Sequence, residues 1–207
     1  MNFLYLHGFG SSPAAKKGQA FSAHFAPLGV DFRRPDLNLP SFEHLRLSAM
    51  IEAATAAAGD AAIVVGSSLG GLTAARTAAR TPAIRALILL APAFQLAARW
   101  RATLGPAFDA WQRTGTRDVT VSTGETRSID FGFIEDAERV DVGFPEVTVP
   151  TLIFHGVHDD AVPVDSSRRF AAGRPNVRLV EVDDDHELVR SLPIMLPAAE
   201  QFILQHR

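Results

Sequence analysis

Two stretches of this chain, Ala62-Ile63-Val64-Val65 and Leu87-Ile88-Leu89-Leu90, are apolar at every position. A strand with one wet face alternates apolar and polar residues, whereas continuous hydrophobicity over so short a run is what a parallel strand buried on both faces requires. These runs sit within two predicted strands, Ala61 to Val65 and Ile84 to Leu90, and four more stretches have strand length and character: Asn2 to Leu6, Val30 to Arg33, Thr151 to Phe154 and Val177 to Val182. Between them lie alanine-rich or amphipathic segments that read as helices: Pro13 to Phe25, Phe42 to Ala58, Leu69 to Arg80, Ser166 to Ala172 and Leu192 to Gln205. Strand and helix in alternation predict an α/β fold, a mostly parallel, doubly wound sheet of about six strands with right-handed crossovers and helices on both faces. Ser12-Pro13 is placed to cap and open the first helix, and Gly59-Asp60 to stop the second.

One segment breaks the rhythm. From Ala93 to Phe144 the chain carries Trp100, Leu104, Phe108 and Trp111 at roughly helical spacing, with Gly105-Pro106 expected to split this stretch into two short helices. Val119 to Val121, the turn-like Ser122 to Glu125 and Ser128 to Phe133 then resemble a small hairpin. The chain is therefore expected to be one domain over residues 1–207, with a helical and hairpin insertion at about 93–145 lying over the C-terminal edge of the sheet. The aromatic stripe is expected either to line a substrate pocket as a lid or to be the core of the inserted helices.

Bulk properties narrow the function. The 20 basic and 23 acidic residues are interspersed and leave a formal charge of -3, so there is no electrostatic footprint for nucleic acid. The absence of cysteine excludes a disulfide framework, a thiolate zinc site and a cysteine nucleophile. Met1 leads directly into Phe3 to Leu6 without a basic n-region, so no signal peptide is expected, and apolar runs such as Ala86 to Ala91 are far too short to span a bilayer. A cytoplasmic location is the expectation. Oligomeric state is not readable.

Four loops carry chemistry, each directly after a predicted strand. Gly66-Ser67-Ser68-Leu69-Gly70 fits G-x-S-x-G between a strand and a helix, the setting in which a serine hydroxyl is pushed out above the sheet. His7-Gly8-Phe9-Gly10 follows the first strand, where the backbone N–H groups of Phe9 and Leu69 would be the pair of donors that acyl transfer needs for a developing oxyanion. His7 itself reads as a structural hydrogen-bonding residue. His155-Gly156-Val157-His158-Asp159-Asp160 offers the acid, for which Asp159 is the choice, Asp160 the adjacent rival, and Asp165 a third that looks like a helix cap. Val182-Asp183-Asp184-Asp185-His186 offers the base, His186, and the chain order Ser, Asp, His is that of the α/β-hydrolase fold. A metal site at this corner is disfavoured, because His155 and His158 are only three apart on a predicted turn and no helical H-E-x-x-H pair exists. No cofactor is implied.

The stretches Tyr5-Leu6-His7-Gly8-Phe9, Ser11-Ser12-Pro13, Lys16-Lys17, Val65-Gly66-Ser67-Ser68-Leu69-Gly70-Gly71 and Leu90-Ala91-Pro92-Ala93 resemble the YqiA-type small bacterial esterases of the α/β-hydrolase superfamily. The likeness extends over essentially the whole chain and is sharpest in its first half, although Gly10 stands where that family tends to have asparagine. The resemblance implies cleavage of short acyl esters, small-molecule substrates, with Ser68 as nucleophile and His186 as base. The residues alone also leave open an acyl-CoA thioesterase, for which Arg99, Arg101, Arg113 and Arg117 could meet phosphates, a serine amidase or peptidase, and a catalytically silent binding protein on the same scaffold.

Overall fold

The computed structural model describes residues 1–207. Six strands form one fully parallel sheet in the order β2-β1-β3-β4-β7-β8: β1 (Asn2–Leu6), β2 (Phe32–Arg33), β3 (Ala62–Ser67), β4 (Ile84–Leu90), β7 (Thr151–Gly156) and β8 (Val177–Val182). The chain runs outward from β1 to β2 and returns past β1 to β3. The loops that leave the C-terminal ends of β1 and β3 therefore diverge, the point at which doubly wound sheets open a crevice.

The all-apolar strands face two cores. Ile63 and Val65 of β3, with Ala86, Ile88 and Leu90 of β4, pack on one side against α1 (Lys16–Phe25) and α8 (Leu192–His206). Ala62 and Val64, with Leu87 and Leu89, pack on the other side against α2 (Leu47–Ala58) and α3 (Leu69–Ala78). Alternation across the pleat puts an apolar side chain on both faces at every step from Ala62 to Val65 and from Ala86 to Leu90, and the one charged residue of these strands, Arg85, is exposed near the start of β4.

The first helix starts later than expected. Ser12 Oγ accepts the Ala14 N–H at 3.2 Å, closing a local turn, and α1 begins only at Lys16, with no side-chain cap. Pro106, by contrast, does open a helix: α4 (Leu96–Leu104) and α5 (Pro106–Thr114) are separated at Gly105. The hairpin consists of β5 (Thr116–Thr120) and β6 (Thr126–Asp130); of its expected second arm, Ser128 to Asp130 lie in β6, whereas Gly132 and Phe133 open α6 (Gly132–Val140). That helix was hidden by the apolar cluster Phe131 to Ile134, which fits a strand as readily as a helix. Asp165 does not cap α7 (Asp165–Ala171) but is its first residue, its carboxylate 2.8 Å from Arg168 Nη1.

Two buried carboxylates fasten the inserted segment to the domain. Asp136 of α6 accepts from the Ser48 N–H at 2.7 Å and from Ser48 Oγ at 2.8 Å, and so caps α2 from another element. Asp141 accepts the Leu96 N–H at the start of α4 at 2.9 Å and pairs with Arg76 of α3 at 2.6 Å. Both side chains of that pair are buried, the carboxylate 2% and the guanidinium 10% exposed. Replacing a buried pair with apolar residues is often neutral, but removing one member strands a charge. Asp141→Ala is accordingly expected to cost about 3–5 kcal/mol, read as a lower urea midpoint at unchanged slope.

Candidate active site

The loop after β3 makes a turn that only small flanking residues permit. A Cβ on Gly66 would stand 2.4 Å from the Gly70 carbonyl oxygen, and one on Gly70 would stand 2.1 Å from the Leu6 carbonyl oxygen. Both are backbone contacts and cannot yield. Between them Ser68 takes φ 53° and ψ −115°, a left-handed conformation that costs a non-glycine residue about 1–3 kcal/mol. Neighbours hold it there: the Ser68 N–H donates to the Leu90 carbonyl at 2.8 Å, and the Ser68 carbonyl accepts from Ala93 at 3.1 Å. The strain places Oγ above the C-terminal edge of the sheet, at the N-terminal end of α3.

His186 reaches Ser68 from the loop after β8. Its Nε2 lies 3.1 Å from Ser68 Oγ, and its Nδ1 lies 2.7 Å from Asp159 Oδ2. Asp160 is exposed, and the hydrogen bond from His186 Nδ1 goes to Asp159 instead. The other Asp159 oxygen accepts from the Ala161 and Val162 N–H groups at 3.0 and 2.7 Å, so the carboxylate is held from both ends. Burial alone would raise its pKa. The hydrogen bonds of His155, His186 and Val162, with the charge of His186, reverse this and hold Asp159 well below the usual carboxylate range. A depressed carboxylate contributes stability above its unfolded pKa, and that contribution is lost only as pH falls through the lower folded value.

Several residues position these three without having been singled out for it. His155, fully buried, accepts from Ser167 Oγ at its Nδ1 and donates from Nε2 to the Val162 carbonyl, both at 2.8 Å, with Asp159 Oδ2 3.1 Å from the same nitrogen. It braces the acid loop rather than sharing a cation with His158, which instead pairs with exposed Asp183 at 2.8 Å. Asp184, 1% exposed, accepts from the Asp185 and Ser191 N–H groups, each at 2.8 Å, and from Arg190 at 3.2 Å. Desolvation raises its pKa, yet those donors outweigh it and keep the carboxylate ionised. It is the internal anchor of the loop that carries His186. Its sequence signal was present but unresolved, since nothing in the run Asp183-Asp184-Asp185 distinguishes the buried member.

The loop after β1 lies against the nucleophile. A Cβ on Gly8 would be 3.3 Å from Ser68 Cβ and 3.9 Å from its Oγ. The Phe9 N–H donates to no backbone or side-chain acceptor, and the Leu69 N–H, first in α3, has no acceptor within its helix. His7 is structural: its Nε2 accepts the Leu37 N–H at 2.9 Å, which places the ring proton on Nδ1, 2.9 Å from the Gly8 carbonyl.

The cavity beside Ser68 holds about 650 Å³, and none of Trp100, Leu104, Phe108 or Trp111 lines it. The pocket assignment of these four is corrected to core packing. Phe108 and Trp111 are buried edge-on against Phe131, each at 5.3 Å, and Trp111 Nε1 donates to the Ile129 carbonyl, while Leu104 packs on the same cluster. Trp100 packs edge-on against Phe9 at 5.1 Å, and Phe42 and Phe133 close the ring around it. Trp100 of the stripe therefore steadies Phe9 in the loop beside Ser68. What borders the cavity from the insertion is the hairpin tip, Ser122 and Thr123, with the Ser122 N–H donating to the Gly10 carbonyl at 2.8 Å.

Known proteins share this architecture. Alpha/beta hydrolase domain-containing protein 10 from mouse superimposes with a TM-score of 0.82 at 22% identity, covering 99% of this chain and 90% of its own. Est1E from Butyrivibrio proteoclasticus does so with a TM-score of 0.79 at 26% identity, covering 98% and 86%. The monoacylglycerol lipase of Paleococcus ferrophilus gives 0.76 at 17% identity, covering 99% and 95%. No curated protein matches the sequence. The model of the uncharacterised protein family UPF0227 matches residues 2–202, so the chain belongs to that family and carries it on an α/β-hydrolase fold.

Proposed function

We propose that this protein is a serine hydrolase that cleaves carboxylic esters through an acyl-enzyme, with Ser68 as nucleophile, His186 as general base and Asp159 as the acid that orients it. The observation that carries the reading is the unbroken line from Ser68 Oγ through both nitrogens of His186 to Asp159, at 3.1 and 2.7 Å. Structural likeness to an esterase and a lipase supports hydrolysis as the reaction class.

The chemistry follows from the proton positions. An ionised Asp159 keeps the His186 ring proton on Nδ1, leaving Nε2 free to take the Ser68 proton as Oγ attacks the carbonyl carbon. Negative charge then builds on the carbonyl oxygen, where the Phe9 and Leu69 N–H groups have no competing acceptor to leave. His186 returns the proton to the departing alcohol, and water, activated by the same nitrogen, releases the acid. The positive end of α3 points at the developing charge and adds to its stabilisation.

The thioesterase alternative draws less from the site. Arg99 Nη1 donates to the Ala161 carbonyl at 2.8 Å and Arg101 lies between Asp109 and Glu138, and none of Arg99, Arg101, Arg113 and Arg117 lines the cavity beside Ser68. Comparison of matched ester, thioester and amide substrates separates the three classes.

Two outcomes are expected. A fluorophosphonate probe should label the wild type and leave Ser68→Ala unlabelled, with turnover of a short para-nitrophenyl ester lost in parallel; turnover at the wild-type rate in Ser68→Ala refutes the assignment. Asp159→Asn should lower kcat by roughly ten-thousand-fold through loss of the correct histidine tautomer, whereas Asp160→Asn should leave it within about twofold. Steady-state kinetics with circular dichroism as a folding control reads both.

A further inference from the structure

The wall of the cavity beside Ser68 includes a buried lysine. Lys17 enters it from the first turn of α1 although the residue is only 8% exposed. Its one hydrogen bond is to the Glu187 carbonyl at 2.8 Å, and its one carboxylate neighbour, Glu187 Oε2, stands at 3.8 Å on a side chain 72% exposed. An ammonium has three donors. Two of them have no acceptor.

Tyr5, at the end of β1, borders the same cavity. The residue is 1% exposed and its hydroxyl has no hydrogen-bond partner. Burial, with Glu187 adding to the rise, holds the phenol well above its ordinary pKa against the hydrogen-bonding pull of the neighbouring Ser67 hydroxyl, so Tyr5 stands in the cavity wall as a neutral donor. The hydroxyls of Ser67, Ser11 and Ser12 line the same space, and Ser67 is the chain neighbour of the nucleophile. A buried cation and a buried unpaired hydroxyl each cost stability where they stand. A ligand with anionic oxygens removes both costs at once.

Nearby acids are already committed elsewhere. Asp159 is taken by His186 and two backbone amides, Asp184 by Arg190 and two backbone amides, and Asp185 accepts the Glu187 N–H at 2.9 Å. Only the Glu187 carboxylate is uncommitted, and it is largely in solvent, where its field is screened.

We propose that Lys17 and Tyr5 form a carboxylate subsite adjoining Ser68, so that the preferred substrates are esters bearing a free acid group close to the scissile bond. This deepens the ester-hydrolase reading and rests on it for the turnover measurements. The acid group can belong to the acyl part or to the alcohol part, and two substrate pairs distinguish these. Monomethyl glutarate is compared with the methyl ester of glutaramic acid, and para-acetoxybenzoate with para-acetoxybenzamide; within each pair only the carboxylate is replaced, by its neutral amide.

In at least one pair the wild type should favour the acid over the amide by about tenfold or more in kcat/KM, the scale of a hydrogen bond to a charged group. Lys17→Met should bring that ratio near one, and Tyr5→Phe should lower it about threefold. A ratio at or below one in both wild-type pairs overturns the proposal. So does an equal fall for acid and amide in Lys17→Met, which would make Lys17 only a strut for the Glu187 carbonyl. If Lys17→Met does not fold, Tyr5→Phe decides, and an unchanged ratio there overturns the subsite. Calorimetry of glutarate with Ser68→Ala tests the subsite without turnover: binding that disappears in the Lys17→Met, Ser68→Ala double variant upholds it even if no ester is cleaved, and no binding to Ser68→Ala overturns it.

Discussion

The contact between Gly70 and the end of β1 governs the rest of the site. With no side chain at Gly70, the first turn of α3 can lie against the Leu6 and His7 carbonyls, where a Cβ would come within 2.1 and 2.6 Å of their oxygens. Two things follow from that one approach. The turn after β3 can be tight enough to hold Ser68 in its left-handed conformation, and the loop that leaves β1 is delivered beside Ser68 Oγ. The positions of Ser68 and of the loop proposed to supply the oxyanion donors are thus set by a single backbone-to-backbone fit, and a side chain at Gly70 would force the two apart.

The same economy appears on the opposite side. The loops after β7 and β8 are joined by the His158 N–H donating to the Asp184 carbonyl at 3.0 Å and by the Val157 N–H donating to the Val182 carbonyl at 2.9 Å. Asp184 folds the β8 loop on itself, and His155 braces the β7 loop from below through Ser167 and Val162. Acid and base therefore approach Ser68 as one unit. Lys17 ties that unit back to α1 through the Glu187 carbonyl, a link between residues 170 positions apart in the chain. Rigid support of this kind is what keeps hydrogen bonds of 2.7 and 3.1 Å in register across three separate loops.

How far the structure was legible in the sequence depends on the range of the forces involved. The all-apolar runs of β3 and β4 announce strands buried on both faces, because burial acts on each residue separately and leaves a mark at each position. The four site loops were legible because each chemical motif directly follows a stretch of strand length and character, β1, β3, β7 or β8. Beyond those, local signals failed where distant partners decide. Asp136 and Asp141 cap helices that lie far from them in sequence, and the buried Asp184 is indistinguishable from its two acidic neighbours. The four-residue stripe of Trp100, Leu104, Phe108 and Trp111 has the periodicity of a buried face, and periodicity does not say which surface buries it. Phe131 and Phe133, placed by α6, claim the rings that a lid would have turned toward substrate.

That displacement has a chemical consequence. Once the aromatic side chains are committed to the core of the insertion, only the polar tip of the hairpin, Ser122 and Thr123, is left to border the cavity from that side. From the sheet side come Tyr5 and Ser67, and from α1 comes Lys17. The cavity wall therefore sets serine, threonine and lysine donors beside apolar surface, and a hydrocarbon chain laid against the donors would desolvate them without replacing their water. Apolar surface near Ser68 comes from Tyr5, Phe9, Ala14, Ala15 and Val189. The insertion thus uses its aromatic surface to pack Phe9 of the β1 loop in place, and leaves only hydroxyl groups of the hairpin tip at the cavity beside Ser68.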